Sequence, residues 1–195
     1  MLSSTSILIL AAGNSSRLGL PKQLLLFKGK SLLRHAAEVA LAARPAEVLC
    51  VLGFESDRMK HELDDLAVRF ILNKDWQEGV ASSVREGILS LPDSADSAVI
   101  TLCDQPFVTS SHLRLLVSAC GIETPISATG YEDAIGVPAC YARSVFSELL
   151  DLRGDTGAKK VINRDLARVS TIPFPEAGID IDTFKDFQSL LDSTS

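Results

Sequence analysis

The sequence predicts a three-layer α/β/α fold built on a mainly parallel, Rossmann-like sheet. Short apolar segments typical of buried strands alternate along the chain with longer segments of helical periodicity. Such alternation indicates βαβ units, in which helices cover both faces of a parallel sheet. The chain has 195 residues, a length that suits one α/β domain, so we expect a single domain spanning residues 1–195.

The elements follow from local signals. Ser31 is a good N-cap for a helix whose apolar residues recur at helical spacing, Pro92 closes another, and Thr109 or Ser110 can cap a third. After about residue 120 the pattern becomes less regular. The predicted strands are residues 7–10, 48–52, 68–72, 98–102, 125–128, 137–141 and 168–173. The predicted helices are residues 31–43, 56–66, 80–91, 110–119, 143–150, 156–163 and 184–191.

Composition narrows the class of protein. The chain is 46% hydrophobic and 23% charged, as in a globular protein, and its net charge of −6 argues against nucleic-acid binding. Four widely spaced cysteines form no zinc motif and suit a reducing cytoplasm, namely Cys50, Cys103, Cys120 and Cys140. We expect no signal peptide, and no apolar run approaches the ~20 residues needed to cross a membrane.

A loop of small residues, residues 10–22, follows the first predicted strand. Gly13 lets backbone N–H groups approach an anion closely, and Arg17 and Lys22 add positive charge, so the loop suits a triphosphate. It is not the dinucleotide fingerprint G-x-G-x-x-G, because position 15 is Ser. It is not a Walker loop either, because Leu20 and Pro21 separate Gly19 from the lysine.

The same loop resembles L-A-A-G-x-S-x-R-x-G-x-P-K, the signature of nucleotidyltransferases that join an NTP to a phosphorylated acceptor and release pyrophosphate. Every fixed position of that signature is matched, by Leu10, Ala11, Ala12, Gly13, Ser15, Arg17, Gly19, Pro21 and Lys22. The resemblance implies the nucleotide-diphospho-sugar transferase type of fold. It also implies that residues 10–13, Arg17 and Lys22 bind the triphosphate, with Arg17 and Lys22 acting in catalysis.

Asp104 is a candidate metal ligand at the end of a predicted strand, where a carboxylate can bind a hard cation such as Mg²⁺. The alternative is a solvated turn at a helix entry. Residues 103–106 resemble the G-D-Q-P motif of the same enzymes, with Cys103 in place of Gly. We expect the extra Cβ and sulfur to narrow the space near the metal.

A second acidic segment lies near the C-terminus, at residues 178–183. It resembles the family's D-I-D-T-P-x-D, with Phe184 in place of Pro, and the resemblance implies that Asp182 is the second metal ligand. Asp180 and Asp182 would share one face of an extended strand, so either is a candidate. Asp182 is alternatively the N-cap of the last helix, a role that is compatible with metal binding.

Residues 73–83 resemble N-x-x-W-x-x-G-x-x-S-S. This set points to the molybdenum cofactor cytidylyltransferase branch of the MobA-like NTP transferases and away from sugar nucleotidyltransferases. It implies that Asn73, Gly79 and Ser82 bind the nucleotide. Gly79 would let the backbone meet a planar base, and Ser82 would hydrogen-bond to it. Trp76 is more simply a partly buried packing residue.

The acceptor site is predicted from two further motifs. Residues 136–138 and 153–159 resemble the family's G-x-P strand and G-D-x-G-A-[RK] loop. Gly157 at a helix start, with Lys159, suits an anionic acceptor. The alternative is an ordinary capped turn. Gln105 is assigned to the same acceptor site.

Three functions remain open from the sequence. The first is Mg²⁺-dependent transfer of CMP from CTP to the phosphate of molybdopterin or molybdenum cofactor, with release of pyrophosphate. The second is a guanylyl- or other nucleotidyltransferase acting on a different phosphorylated acceptor. The third is a chaperone that carries a molybdopterin species to a molybdenum-dependent oxidoreductase, a possibility that Cys103 keeps open. A nicotinamide-binding module is disfavoured by the missing glycine and by the loop cations.

Overall fold

The computed structural model describes residues 4–15, 18–132, 134–181 and 183–192. Within them the strands are β1 (Thr5–Ala11), β2 (Leu26–Phe27), β3 (Lys30–Ser31), β4 (Glu47–Leu52), β5 (Arg69–Leu72), β6 (Ser97–Leu102), β7 (Ile126–Gly130), β8 (Ile135–Ala142) and β9 (Val169–Pro173). The α-helices are α1 (Leu32–Ala42), α2 (Ser56–His61), α3 (Val80–Leu89), α4 (Ser110–Ala119), α5 (Phe146–Leu150), α6 (Lys159–Ile162) and α7 (Phe184–Asp192).

The main sheet has the strand order β5-β4-β1-β6-β8-β7-β9. β1 pairs in parallel with β4 and β6, β4 with β5, and β7 with β9, which confirms the mainly parallel sheet. β8 pairs antiparallel with both β6 and β7. Its direction follows from the short turn after β7, in which Tyr131 N donates to Ala134 O at 2.8 Å, because parallel strands need a much longer crossover.

Alternate residues of β1 point into two separate cores. Leu8 and Leu10 belong to the apolar cluster that includes buried residues of α3, α5 and α6. Ile7 and Ile9 belong to the cluster that includes buried residues of α1, α2 and α4. Helices therefore cover both faces of the sheet, which confirms the predicted three layers.

A smaller apolar cluster packs α7 against the β2–β3 hairpin. Its buried members are Leu25, Phe27, Leu32, Ile181, Phe187 and Leu190. This cluster fixes the last helix of the described chain beside the loop that follows β1.

The predicted helix starts agree with the caps that the structure has. The Ser31 hydroxyl accepts a hydrogen bond from Arg34 N at 3.1 Å, and the Thr109 hydroxyl accepts one from His112 N at 3.2 Å. Thr109, rather than Ser110, is thus the cap of α4.

Three predicted helices are shorter in the structure. The helix predicted over 143–150 is a 3₁₀ turn at Arg143–Val145 followed by α5, Phe146–Leu150. α2 ends at His61 instead of near residue 66, because the chain then forms turns such as Leu66 N to Leu63 O. The helix predicted over 156–163 is only α6, four residues long. Within the described part of the chain, none of the helices has both the length and the apolar character needed to span a bilayer.

Replacement of Ile100 by Ala in the central strand β6 should lower the free energy of unfolding by about 2–5 kcal/mol, because Ile100 is fully buried and its loss leaves a cavity. Ile122→Ala is the matched control: Ile122 is fully exposed, and its replacement should change stability by no more than about 0.5 kcal/mol. Urea unfolding curves measure both values. Equal losses in the two variants would contradict the assignment of the core.

Candidate active site

A cleft of about 740 Å³ opens where β1 and β6 end. In sheets of this type ligands bind outside the carboxyl ends of the strands. The lining residues are 10–15, 18, 22, 23, 76–80, 83, 102–104 and 155. They include seven of the predicted site residues, namely Leu10, Ala11, Ala12, Gly13, Lys22, Gly79 and Asp104. Two further predicted residues, Arg17 and Asp182, lie outside the residues that the structure describes.

The loop after β1 is held from below by a buried glutamine that the sequence analysis missed. Gln23 Nε2 donates to Ala11 O at 3.0 Å and to Gly13 O at 2.7 Å. Its Oε1 accepts from the Ser15 hydroxyl at 3.3 Å, and Ser15 Oγ in turn accepts from Lys22 N at 3.1 Å. The signal was a polar residue directly after the lysine of the motif, at the start of an apolar segment. Gln23 thereby fixes the backbone of residues 11–13, which form one wall of the cleft.

Lys22 and Asp104 meet in the cleft although they are 82 positions apart in the chain. Lys22 Nζ forms an ion pair and hydrogen bond with Asp104 Oδ2. Asp104 is 6% exposed. A buried carboxylate is stable only when it is paired or coordinated, so the two predicted residues depend on each other in the fold.

The second oxygen of Asp104 fits a cation. Asp104 Oδ1 is buried and has no hydrogen-bond partner among the described residues. Such an orphaned carboxylate oxygen is a ligand of the kind that Mg²⁺ and Mn²⁺ prefer. Among the described residues, the surroundings of Asp104 included, no group of three or more His, Cys, Asp or Glu side chains is arranged to hold a metal. Asp104 would therefore hold a cation with few other protein ligands, as is usual where phosphate oxygens complete the coordination.

The C-terminal acidic segment is brought to Asp104 by the backbone. Ile181 is fully buried, and its amide donates to Asp104 O at 3.1 Å. Burial raises the pKa of Tyr131 to about 12, and the negative charges of Asp180 and Asp104 add to the rise, so both carboxylates lie near that phenol. The described part of the segment thus adjoins the strand end that carries Asp104.

A close backbone contact forms the opposite wall of the cleft. Gly79 has φ +121°, and a Cβ at this position would lie 2.6 Å from the carbonyl carbon and oxygen of Gly154. The amide of Ala81 donates to Gly154 O at 3.1 Å. Only glycine fits where these two loops meet. The contact places Asp155 in the lining of the same cleft.

A salt bridge braces this wall. Arg85 binds Glu78 through both carboxylate oxygens, with Nη1 to Oε1 at 2.8 Å, and also donates to Leu152 O at 2.8 Å. Glu78 Oε1 accepts from Gly154 N at 3.1 Å. The hydrogen bonds from Arg85 and then from Gly154 lower the pKa of Glu78 to about 2, so the bridge stays charged at neutral pH.

Asn73 and Ser82 lie beneath the wall and do not line the cleft. Both are buried, and Asn73 Nδ2 donates to the hydroxyls of Ser82 at 2.8 Å and Ser83 at 3.0 Å. The Ser82 hydroxyl donates to Gly79 O at 2.8 Å. These bonds occupy the polar groups that were expected to meet the base, which favours a supporting role for both residues. Ser83 lines the cleft instead.

Trp76 combines packing with a position at the cleft. Its ring lies edge-on to Phe54 with centroids 5.7 Å apart, and the residue is half-buried. A Cβ on Gly53 would lie 2.6 Å from Trp76 Cβ, so a second glycine permits this approach. The indole is thereby fixed in the wall beside Gly79.

The three predicted acceptor residues, Gly157, Lys159 and Gln105, lie in different environments. Gly157 packs beside Val80, a residue of the lining, with 3.7 Å between its virtual Cβ and Val80 Cγ1. Lys159 is exposed and does not line the cleft. Gln105 is buried, and its amide nitrogen donates to protein oxygens. Helix α6 has four residues, so its dipole gives an anion little support.

The sequence matches the MobA-like NTP transferase domain over residues 7–169. It is 35% identical to nicotine blue oxidoreductase of Paenarthrobacter nicotinovorans over 112 residues, 56% of this chain and 54% of that protein. The chain thus spans about half the length of that relative. Purine catabolism protein PucB of Bacillus subtilis (strain 168) is 28% identical over 189 residues, 91% of either chain.

The crystal structure of Rv0371c from Mycobacterium tuberculosis H37Rv is similar over almost the whole fold. It has a TM-score of 0.85 and 28% identity, and the similarity covers 98% of this chain and 100% of that one. A structure of the same protein in complex with manganese has a TM-score of 0.80 and 28% identity, over 97% of this chain and 99% of that one.

Replacement of Gly79 by Ala should lower the free energy of unfolding by about 1–3 kcal/mol from backbone strain alone, with a further loss from the contact with Gly154. Gly121→Ala is the control, because Gly121 has open space around it and does not have a positive φ. Chemical denaturation of the two variants measures the difference. If Gly79→Ala were as stable as Gly121→Ala, the close contact between the two loops would be refuted.

Proposed function

The chain belongs to the MobA-like NTP transferase family and is a nucleotidyltransferase, and we propose that it transfers CMP from CTP to the terminal phosphate of a molybdopterin-type acceptor. Two observations support the transfer reaction: Lys22 and Asp104 pair in the cleft, and Asp104 Oδ1 has no partner among the described residues. The choice of CTP and of the acceptor rests on the resemblance of residues 73–83 to the cytidylyltransferase pattern.

The proposed reaction is an in-line displacement at phosphorus. An oxygen of the acceptor phosphate attacks the α-phosphorus of CTP, and a new P–O bond forms. The bond from that phosphorus to the α,β-bridging oxygen breaks, and pyrophosphate leaves with the electron pair. A phosphate is already an anion, so no protein base is required. The protein contributes positioning and charge neutralisation.

We assign the triphosphate to the loop after β1. Backbone N–H groups of residues 10–13 would contact phosphate oxygens, as small side chains permit. The ammonium group of Lys22 hydrogen-bonds to the Asp104 carboxylate. From this position it would also interact with phosphate oxygens of the bound triphosphate. Arg17, in the same loop, is proposed as a second cation for the triphosphate. Both residues would stabilise the charge that develops on pyrophosphate as it leaves.

We propose that Asp104 and Asp182 hold a divalent cation, with Mg²⁺ as the physiological ion. The cation would neutralise charge on triphosphate oxygens when bound. The orphaned Oδ1 of Asp104 supports its part in the site. The hydrogen bond from Ile181 N to Asp104 O supports Asp182, the residue after Ile181, as the second ligand. The manganese complex of the related Rv0371c is consistent with a divalent ion in this fold.

We propose that the base and the acceptor occupy the part of the cleft bounded by Gly79. The base would lie against the Gly79 backbone, with Asn73 and Ser82 supporting that wall from beneath. Gly157, beside the same wall, would contact the acceptor, and a molybdenum-dependent oxidoreductase would receive the product.

Asp104→Asn should reduce pyrophosphate release from CTP plus molybdopterin on the order of 10²–10³-fold, because it removes the charge that balances Lys22 and the cation. The side chain keeps nearly the same size, so thermal unfolding should still be cooperative. Asp57→Asn, with a side chain that is 98% exposed, is the matched control and should turn over normally. Normal turnover by Asp104→Asn would overturn the assignment of Asp104.

CTP with Mg²⁺ should raise the thermal stability of the protein more than GTP, ATP or UTP does. A ligand that binds only the native state at 100 times its Kd stabilises it by about 2.7 kcal/mol. Thermal-shift measurements, followed by a pyrophosphate assay with molybdopterin, test this preference. A larger response to GTP would favour a guanylyltransferase. Molybdopterin binding with no pyrophosphate from any of the four nucleotides would favour a carrier protein instead.

A further inference from the structure

We propose that Gln105 and Tyr131 are positioning residues that clamp the C-terminal acidic segment onto the strand end carrying Asp104, and so set the affinity of the cleft for a divalent cation. The proposal deepens the proposed function and rests on it for the identity of the bound group. It assigns to Gln105 a role other than the acceptor contact that its motif implies.

Gln105 joins three parts of the chain that are distant in sequence. It follows Asp104 directly, and its side-chain Nε2 donates to Val137 O at 3.1 Å and to Ala177 O at 3.0 Å. Both Gln105 and Ala177 are buried. One amide group therefore links the end of β6, the strand β8 and the turn at 175–178. Hydrogen bonds that are shielded from water in this way resist local opening.

Tyr131 completes the clamp from the other side. Its hydroxyl donates to Val137 O, the same oxygen that accepts from Gln105, and it lies 3.4 Å from Gln105 Nε2. Two glycines let the backbone approach its ring. A Cβ on Gly136 would lie 3.1 Å from Tyr131 Cε2, and one on Gly178 would lie 3.4 Å from Tyr131 Cδ1. The ring is thus packed against the turn that leads into the acidic segment.

The clamped segment ends at the cleft. Ala177 and Ile181 are both fully buried, and Ile181 N donates to Asp104 O at 3.1 Å. Gln105 acts on one end of this short stretch, and the backbone of Asp104 holds the other. Residues that hold a ligand-bearing segment, without touching the metal, commonly control metal affinity. The position of residues 177–181 relative to Asp104 therefore depends on the amide of Gln105.

Three roles of Gln105 make different predictions: a direct contact with the acceptor, a purely structural role, and the positioning role. A contact with an anionic acceptor phosphate requires a free donor at Gln105, whereas its nitrogen already donates to two protein carbonyls and only Oε1, which cannot donate, has no partner among the described residues. It also predicts a higher KM for the acceptor with unchanged metal binding. A structural role alone predicts a lower melting temperature without an effect on metal affinity. The positioning role predicts weaker metal binding while the rest of the fold stays intact.

The test is a Mn²⁺ titration of the nucleotide-free protein, followed by electron paramagnetic resonance, together with amide hydrogen exchange. Gln105→Met keeps the length of the side chain and removes its donor. We expect it to weaken Mn²⁺ binding by about 10- to 100-fold. Amide exchange over residues 177–186 should become faster, while the amides of β1 and β4 should remain as protected as in the unaltered protein. Gln188→Met, on an exposed position of α7, is the matched control and should change neither reading.

Tyr131→Phe keeps the ring and removes the hydroxyl, so it should shift both readings in the same direction by a smaller factor. It also serves if Gln105→Met fails to fold. Unchanged Mn²⁺ affinity in Gln105→Met would overturn the proposal. If only Tyr131→Phe folds, unchanged Mn²⁺ affinity in that variant would overturn it. If the unaltered protein turns over no CTP while these differences in Mn²⁺ binding persist, the proposed cytidylyl transfer fails and the clamp stands. If the unaltered protein binds no Mn²⁺, both proposals fall.

Discussion

The ion pair between Lys22 and Asp104 is the interaction on which the cleft depends. It joins the loop after β1 to the end of β6, two neighbouring parallel strands, so the sheet itself brings the charges together. Asp104 is buried, and loss of Lys22 would leave a carboxylate without its cation, which typically costs several kcal/mol. The chain as a whole carries a net charge of −6, so its overall charge does not attract an anion to this cleft.

The other walls are built for rigidity. A Cβ on Gly79 would collide with the backbone of Gly154, and a Cβ on Gly53 would collide with the Trp76 side chain. The absence of these Cβ atoms lets the two loops, and Gly53 and Trp76, pack in close contact. The salt bridge between Arg85 and Glu78 then ties the same loops together. A reaction that relies on positioning gains most from a site whose groups need not reorganise on binding. The close packing of these backbones supplies that preorganisation.

Sequence patterns predicted the elements well and the roles of buried polar residues poorly. The alternation of strands and helices and the cap at Ser31 depend on local chemistry, and the structure confirms them. The antiparallel direction of β8 depends on how tightly the chain turns after β7, which its composition did not reveal. Ser82, Gln23 and Gln105 are polar residues in or beside motifs, yet their hydrogen bonds go to the protein. Motif spacing gives the position of such a residue along the chain, but only tertiary packing decides which way its side chain points.

Cys103 illustrates how burial decides between chemical roles. It occupies the position where the motif has Gly, it lines the cleft beside Asp104, and it is also part of the apolar core between the sheet and α1. Burial raises the pKa of its thiol to about 12, and the charge of Asp104 adds to the rise, so the sulfur is neutral at physiological pH. A neutral thiol is a poor nucleophile and a poor metal ligand, and it adds no negative charge to the cleft. The substitution of Cys for Gly therefore leaves the charge balance between Lys22 and Asp104 unchanged, and what it alters is the space available beside the carboxylate.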